Sequence, residues 1–255
     1  MSEFPLAPTL TLHNFKDFVV SSRFAEESDA EWREKYANFI EGEQLELLMQ
    51  HGNGAMLLYA DDMGIDRSTA PDELKYHMAD EIGDSLWFMF DIADRAGLTI
   101  EECVKKSLDR FVPETEVGAV KSFVALEALA IEHANDIKVT NKMGIYGVPG
   151  VKHETSVEDH PFYVITRTAS RLSRSLATQK FDSRGGPRTT ASLEAVTELD
   201  QALGDYLLTL AYIATNRLGV PIEQVAKFNM EKLRHRRIHG KENDIQFTEA
   251  YNKIK

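Results

Sequence analysis

The sequence predicts an all-α protein made of two related helical halves. Apolar residues recur at spacings of three and four along most of the chain, sustained strand alternation is absent, and two segments resemble each other. We expect the halves to pack as a pseudo-dimeric helical bundle. Residues 1–135 would form the first half, 136–158 a linker and 159–255 the second half.

Composition and charge narrow the function classes. The 255 residues are 43% apolar and 27% charged, typical of a globular protein with a sizeable core. The net charge of -12 disfavours a surface for nucleic acid or anionic lipid and is compatible with divalent-cation binding. No segment reads as a signal peptide or a membrane span, so a cytoplasmic location is expected.

The first half is predicted to be helical from its start. Residues 10–28 and 29–64 both show helical periodicity, and Gly52 and Gly54 should bend or break the second helix. The next helix is the clearest, because its apolar positions share one face: Ile82, Leu86, Met89, Ala93 and Ala96. Residues 116–134 continue the helical pattern.

The strongest organisational signal is a repeat. Residues 80–111 align with 201–233, so that Asp84 matches Asp205, and one extra residue enters the second copy near its turn. Each copy reads as helix, turn, helix.

Glycines punctuate both turns. Gly97 and Gly219 occupy positions where a helix cap requires positive φ. After them, Thr99 and Glu102 have capping-box spacing, and Pro221 suits a first helical turn. Each turn therefore has two independent markers.

The remaining segments complete the second half. Residues 136–158 contain Gly144, Gly147, Pro149 and Gly150 without helical periodicity, which indicates the linker. Residues 160–180 are helical in pattern.

Two carboxylates at the start of the apolar helix suggest a cation site. Glu81 and Asp84 are three residues apart and project from one helix face, and Asp91 lies two turns after Asp84 on much the same side. Such oxygen ligands suit Mg²⁺ or Mn²⁺. Alternatively, acids in a first turn offset the helix dipole and stay solvated.

Three successive stretches of the first copy resemble the family of MazG-like all-α nucleoside triphosphate pyrophosphohydrolases, here as a degenerate tandem repeat. They are E-I-G-D-S-L-W-F, the A-D-R-A-G turn and T-I-E-E-C-V-K-K-S-L-D-R-F. The resemblance implies a Mg²⁺-dependent enzyme, with Mn²⁺ as a substitute, that hydrolyses a nucleoside triphosphate to the monophosphate and pyrophosphate. It implies Glu81 and Asp84 as metal ligands. In the N-M-E-K-L-R-H-R segment it implies substrate contacts from Asn229 and Lys232, to which we add Arg236.

The chain departs from the family pattern in both halves. Gly54 and Leu57 stand where a first E-x-x-E is expected, and Ala202 replaces the glutamate that matches Glu81. The losses are complementary, because the first half keeps the acids and the second keeps Asn229. One composite site could therefore draw metal ligands from one half and phosphate contacts from the other.

The departures leave two functions open. Glu43 and Glu46 form another E-x-x-E and are candidates for the acid that activates water, although a solvated helix face is a slightly better explanation of them. The alternative function is a degenerate protein that binds a nucleotide or a partner protein without turnover. A nucleoside triphosphate is the expected partner, a homodimer is left open, and neither a membrane nor a nucleic acid is expected.

Other residues have a structural and a functional interpretation. The cations in residues 232–241 either complement a helix dipole and contact triphosphate or bind nucleic acid, and the chain's acidity favours the former. Arg171 either meets phosphate or pairs with an acid. Trp87 and Phe88 either stack a base or join the core, and Cys103 is expected in the core.

Overall fold

The all-α class is confirmed. The computed structural model describes residues 9–23, 31–40, 42, 72–110, 120–143, 149–182 and 190–239. Its helices are α1 (Leu12–Ser21), α2 (31–40), α3 (Asp72–Arg95), α4 (Ile100–Leu108), α5 (Phe123–Glu132), α6 (Pro161–Asp182), α7 (Thr190–Tyr212) and α8 (Ile222–His239). Of the helix predicted over 29–64, the part after residue 42 lies outside the described residues.

A β-hairpin occupies the segment predicted to be a linker. Strand β1 (Lys138–Met143) pairs antiparallel with β2 (Pro149–Ser156), with Val139 opposite Thr155. The sequence analysis did not predict these two strands. The strands are short and their register shifts between Asn141 and Met143, so no sustained alternation marks them in the sequence. Whether the chain divides into two domains at this segment stays a prediction.

Local side-chain caps explain where several helices begin. The Thr11 hydroxyl accepts a hydrogen bond from the Asn14 amide at the start of α1. At α4, Thr99 accepts from the Glu102 amide while the Glu102 carboxylate accepts from the Thr99 amide. The predicted capping box is thus confirmed, and it satisfies donors that a helix start leaves free.

The two predicted glycine turns are confirmed. Gly97 and Gly219 have φ of +69° and +63°, the region that favours glycine. The second copy has one residue more before its glycine, and a π-helical turn at Ile213–Arg217 lies just there. A π turn holds an extra residue without ending the helix, so the repeat can resume in α8.

Helices of the first half pack against helices of the second. Helix α3 packs on α8, α4 packs on α7, and α6 lies along α7. Buried residues of both halves belong to one hydrophobic core. At one end of it, Phe15 of α1 contacts Phe90 of α3 and Phe123 of α5, with ring centroids 4.8 and 5.4 Å apart. The crossings α3–α8 and α4–α7 position the polar groups described next.

Candidate functional site

Helices α3 and α8 approach closely at a glycine. A Cβ atom added at Gly83 would lie 3.2 Å from the Asn229 Cβ, which is tight for two side-chain carbons. This approach brings Asp84, the residue after Gly83, beside Asn229. The Asn229 Nδ2 donates to Asp84 Oδ1 over 2.6 Å.

A buried ammonium completes this group of residues. The Nζ of Lys232 lies 2.6 Å from Asp84 Oδ1 and 2.5 Å from Asp80 Oδ1. The Lys232 side chain is only 2% exposed, whereas Asp84 is 25% and Asp80 32% exposed. We call Asp80, Asp84, Asn229 and Lys232 the acid–lysine cluster. It joins first-half carboxylates to a second-half cation.

The electrostatics of this cluster are set by burial and by neighbouring charge. Burial lowers the pKa of Lys232, but Asp84 and Asp80 outweigh it, so the pKa of the ammonium is raised. Burial raises the pKa of Asp80, and although Lys232 opposes this, the net direction remains upward, with Asp84 contributing in the same sense. The ammonium is therefore held charged by two carboxylates, one of which is itself costly to ionise.

One polar atom beside these charges lacks a hydrogen bond. Asn229 is fully buried, and its Oδ1 has no hydrogen-bond partner among the described residues. A buried amide oxygen without a donor costs free energy. The Asn229 amide therefore donates to Asp84, while its oxygen keeps an acceptor position that no described residue uses.

The other predicted site residues lie nearby or outside the described residues. Glu81 is half-buried on α3, between Asp80 and Asp84 in sequence. Arg236 is half-buried one turn after Lys232, and its charge acts to lower the pKa of Asp80. Glu43 and Glu46 lie outside the described residues. The predicted roles of all these residues stay predictions.

The described residues contain no group of three or more His, Cys, Asp or Glu side chains placed to hold a metal ion. The sequence pattern does not single out Asp80, because the family motif places its acid at Glu81. A signal was present, since Asp80 and Asp84 are four apart and so share a helix face. Their common partner on α8 could not be read from that spacing.

An equivalent crossing joins α4 and α7. A Cβ atom at Gly204, which matches Gly83 in the repeat, would collide with the carbonyl oxygen of Cys103 and lie 2.8 Å from the Ser107 Cβ. Asp205 follows Gly204 as Asp84 follows Gly83. The Ser107 hydroxyl, at the position that matches Asn229, donates to Asp205 Oδ1 over 2.5 Å.

Two arginines close this second crossing. Arg110, which matches Lys232, pairs with Asp205 through Nη2, and Arg171 Nη1 of α6 lies 2.8 Å from Asp205 Oδ2. The Asp205 side chain is 2% exposed. We call Ser107, Asp205, Arg110 and Arg171 the arginine-capped cluster. Arg171 thus pairs with an acid, one of its two predicted interpretations.

A contact between matching residues lies between the two clusters. The Ser85 Oγ is 3.5 Å from the hydroxyl of Tyr206, and these residues are 121 positions apart, the same offset that separates Asp84 from Asp205. Matching residues meet each other on the axis of a two-fold arrangement. The pseudo-dimeric arrangement stays a prediction, and this contact together with the reciprocal crossings favours it.

Asp91 is engaged elsewhere on α3. It is fully buried and bonded to Arg23 and to the Tyr36 hydroxyl, with Arg95 Nε 3.0 Å away. These contacts tie the end of α1 and helix α2 to α3. Asp91 is thus committed to ion pairs remote from Lys232.

Trp87, Phe88 and Cys103 pack against other side chains of the protein. Trp87 and Phe88 are half-buried, and Phe88 stacks on Phe39 with centroids 5.0 Å apart and contacts Tyr36. Cys103 is buried in the core, as expected, and burial raises the pKa of its thiol to about 12. A thiol so hard to ionise is a poor nucleophile.

Comparisons of this chain with known protein families, with curated protein sequences and with solved structures found no match. Among the described residues, no helix is long and apolar enough to cross a membrane.

Proposed function

We propose that this protein is a Mg²⁺-dependent pyrophosphohydrolase of a nucleoside triphosphate, with its site at the acid–lysine cluster. The observation that carries the proposal is the meeting of Asp84 from one half with Asn229 and Lys232 from the other, at 2.6 Å in each case. The sequence resemblance assigns ligand and phosphate-contact roles to these same residues. Neither half supplies them alone.

The donor set fits Mg²⁺ of the kind held jointly by protein and substrate. Asp80, Asp84 and Asn229 Oδ1, which accepts no hydrogen bond from the part of the chain that the structure describes, are hard oxygen ligands. Mg²⁺ is commonly bound by one or two carboxylates plus substrate phosphates instead of a closed protein cage. Fewer than three clustered acids among the described residues is thus compatible with this ion. Bound Mg²⁺, or Mn²⁺ in its place, would supply Lewis-acid stabilisation of phosphate charge and an activated water.

The chain's own residues then divide the work. Asp84 would hold the cation together with Asp80 and Glu81, while Lys232 and Arg236 would neutralise phosphate oxygens. Glu46 or Glu43 would accept a proton from the attacking water. Water oxygen bonds to the α-phosphorus, the bond from that phosphorus to the α–β bridging oxygen breaks, and the electron pair leaves with pyrophosphate. The products are the monophosphate and pyrophosphate.

A second candidate is a protein that binds a nucleotide without turnover. It is favoured by one observation: both Asp80 and Asp84 are already paired with Lys232. In this case Lys232 would stay in its ion pairs, and the acid–lysine cluster would serve chiefly to join the halves.

A nucleotide panel separates the two candidates. Pyrophosphate release is measured for ribo- and deoxyribonucleoside triphosphates with Mg²⁺ and with chelator, alongside thermal stabilisation by each nucleotide. Mg²⁺-dependent release from one or a few nucleotides supports the enzyme. Stabilisation by a nucleotide with no release from any of them contradicts the enzyme and supports the binder.

A further inference from the structure

The Lys232 ammonium lies between two carboxylates, in the position that a metal cation would take. It lies within 2.6 Å of one oxygen of each of two carboxylates, Asp80 and Asp84, and is 2% exposed. Two carboxylates facing one ammonium leave a net negative charge. A lysine has a compact charge on a flexible stem of four carbons, so the ammonium can move without moving α8.

The carboxylates can be reached even though the ammonium cannot. Asp80 and Asp84 are about a third and a quarter exposed, so both side chains are partly accessible from solvent. The buried Asn229 Oδ1, three residues before Lys232 on α8, has no donor among the described residues. The cluster therefore includes an amide oxygen whose capacity to accept is not used by any described residue.

The arginine-capped cluster shows the same crossing without this access. Asp205 is 2% exposed and pairs with two guanidinium groups, those of Arg110 and Arg171. Guanidinium groups are planar and hold a carboxylate through several fixed donors. A cation would have to break both pairs and find a buried oxygen. The two crossings therefore differ in the exposure of their carboxylates and in the number of cations paired with them.

We propose that Lys232 is an internal counter-ion of Asp80 and Asp84, and that a divalent cation displaces it from these carboxylates. In the cation-free protein the ammonium neutralises the acids and joins α8 to α3. When the carboxylates bind a divalent cation, Lys232 is repelled and becomes free to contact an anion at the same site. This inference rests on the proposed function for its site, and it adds an order of events: cation first, phosphate contact from Lys232 second.

The test measures binding of Mn²⁺ alone, without nucleotide, by the loss of the free-ion paramagnetic resonance signal. Lys232→Met removes the competing charge and keeps most of the stem, so it should bind Mn²⁺ about tenfold more tightly than the unchanged chain. Lys232→Arg keeps the charge and should bind no more tightly. The matched control is Arg110→Met, which removes the equivalent cation and should leave the Mn²⁺ affinity unchanged. Unchanged or weaker Mn²⁺ binding by Lys232→Met would overturn the proposal.

A second measurement uses the unchanged chain, in case Lys232→Met fails to fold. Acetylation of Lys232 by a water-soluble active ester is followed by mass spectrometry, with the exposed Lys105 as internal reference. Added Mg²⁺ should speed acetylation of Lys232 severalfold relative to Lys105, and an unchanged ratio would count against displacement. Since no nucleotide is present, a chain that releases no pyrophosphate can still show the exchange, and an active enzyme can fail to show it.

Discussion

The acid–lysine cluster and the arginine-capped cluster are one helix crossing with two different outcomes. In both, a glycine allows close approach and the next residue, Asp84 or Asp205, bonds to a polar residue of the opposite half. In the first, the acids remain a quarter to a third exposed and share one lysine. In the second, a single acid is 2% exposed beneath two arginines.

The difference shows which parts of the crossing the fold needs. A carboxylate bonded across the halves occurs in both places, so this bond contributes to the packing of both crossings. The additional acids occur in one place only, because Gln201 and Ala202 stand where the first copy has Asp80 and Glu81. A feature that one copy omits without losing the crossing requires a reason other than folding.

The largest expected effect comes from removing Glu81, one of the two acids that only the first copy has. Glu81→Ala should lower pyrophosphate release at least about a hundredfold, since a lost cation ligand removes several kcal/mol of transition-state stabilisation. Its free energy of unfolding should change by only about 0.5 kcal/mol, because Ala202 fills the equivalent place. Release is assayed on the nucleotide that the panel identifies, and unfolding is followed in urea. Undiminished release would remove Glu81 from the site.

The next effect concerns the arginine-capped cluster. Asp205→Ala should lower the free energy of unfolding by about 2 kcal/mol, because it leaves two guanidinium groups and the Ser107 hydroxyl without their shared acceptor. The arginines are about a quarter to a third exposed, so water can solvate them and limit the loss. Urea denaturation gives the value. A neutral effect would show that the arginine-capped cluster does not hold the halves together.

A smaller effect distinguishes the two glycines. Gly204→Ala should destabilise by about 1 to 2 kcal/mol through overpacking against the Cys103 backbone, whereas Gly83→Ala should be near neutral. At Gly83 the new carbon meets only side-chain atoms, those of Asn229 at 3.2 Å and of Val225 at 3.6 Å, and alanine is the better helix former. Thermal unfolding of the two variants gives the ranking. The reverse ranking would contradict the close approach at α4–α7.

The smallest effect is a pH dependence of stability that arises at the acid–lysine cluster. The pKa of Lys232 is raised by folding, so its stabilisation is complete below the ordinary value of 10.5 and is lost as pH rises through the folded value. Lys232→Arg stays charged throughout, so its stability should fall less steeply at alkaline pH. Urea denaturation across that range compares the two chains. Parallel curves would show that the ammonium gains nothing from Asp80 and Asp84.

Local chemistry made part of this fold predictable. The helical class, the positive φ at Gly97 and Gly219 and the Thr99–Glu102 capping box all depend on residues close in sequence. The hairpin at 138–156 was missed because two short strands with a shifted register leave no long alternation.

The cluster itself was only partly predictable. Aligning the copies pairs Asp84 with Asp205 and Asn229 with Ser107, which suggests partners across the halves. Nothing in the sequence shows that Lys232 is buried, because cations near a helix C-terminus usually stay solvated. The ion pair between Asp80 and Lys232 depends on that burial, so it could not be predicted from the sequence either. The cytoplasmic location and the homodimer stay predictions.

The most direct test is to change the matching aspartates in turn and measure Mg²⁺-dependent pyrophosphate release. Asp84→Asn keeps the shape of the side chain but removes the charge, and it should abolish release. Asp205→Asn, measured where it is folded, should retain release close to that of the unchanged chain, because its cluster is closed to cations. Equal loss in both variants, or full release by Asp84→Asn, would contradict a catalytic site at the α3–α8 crossing.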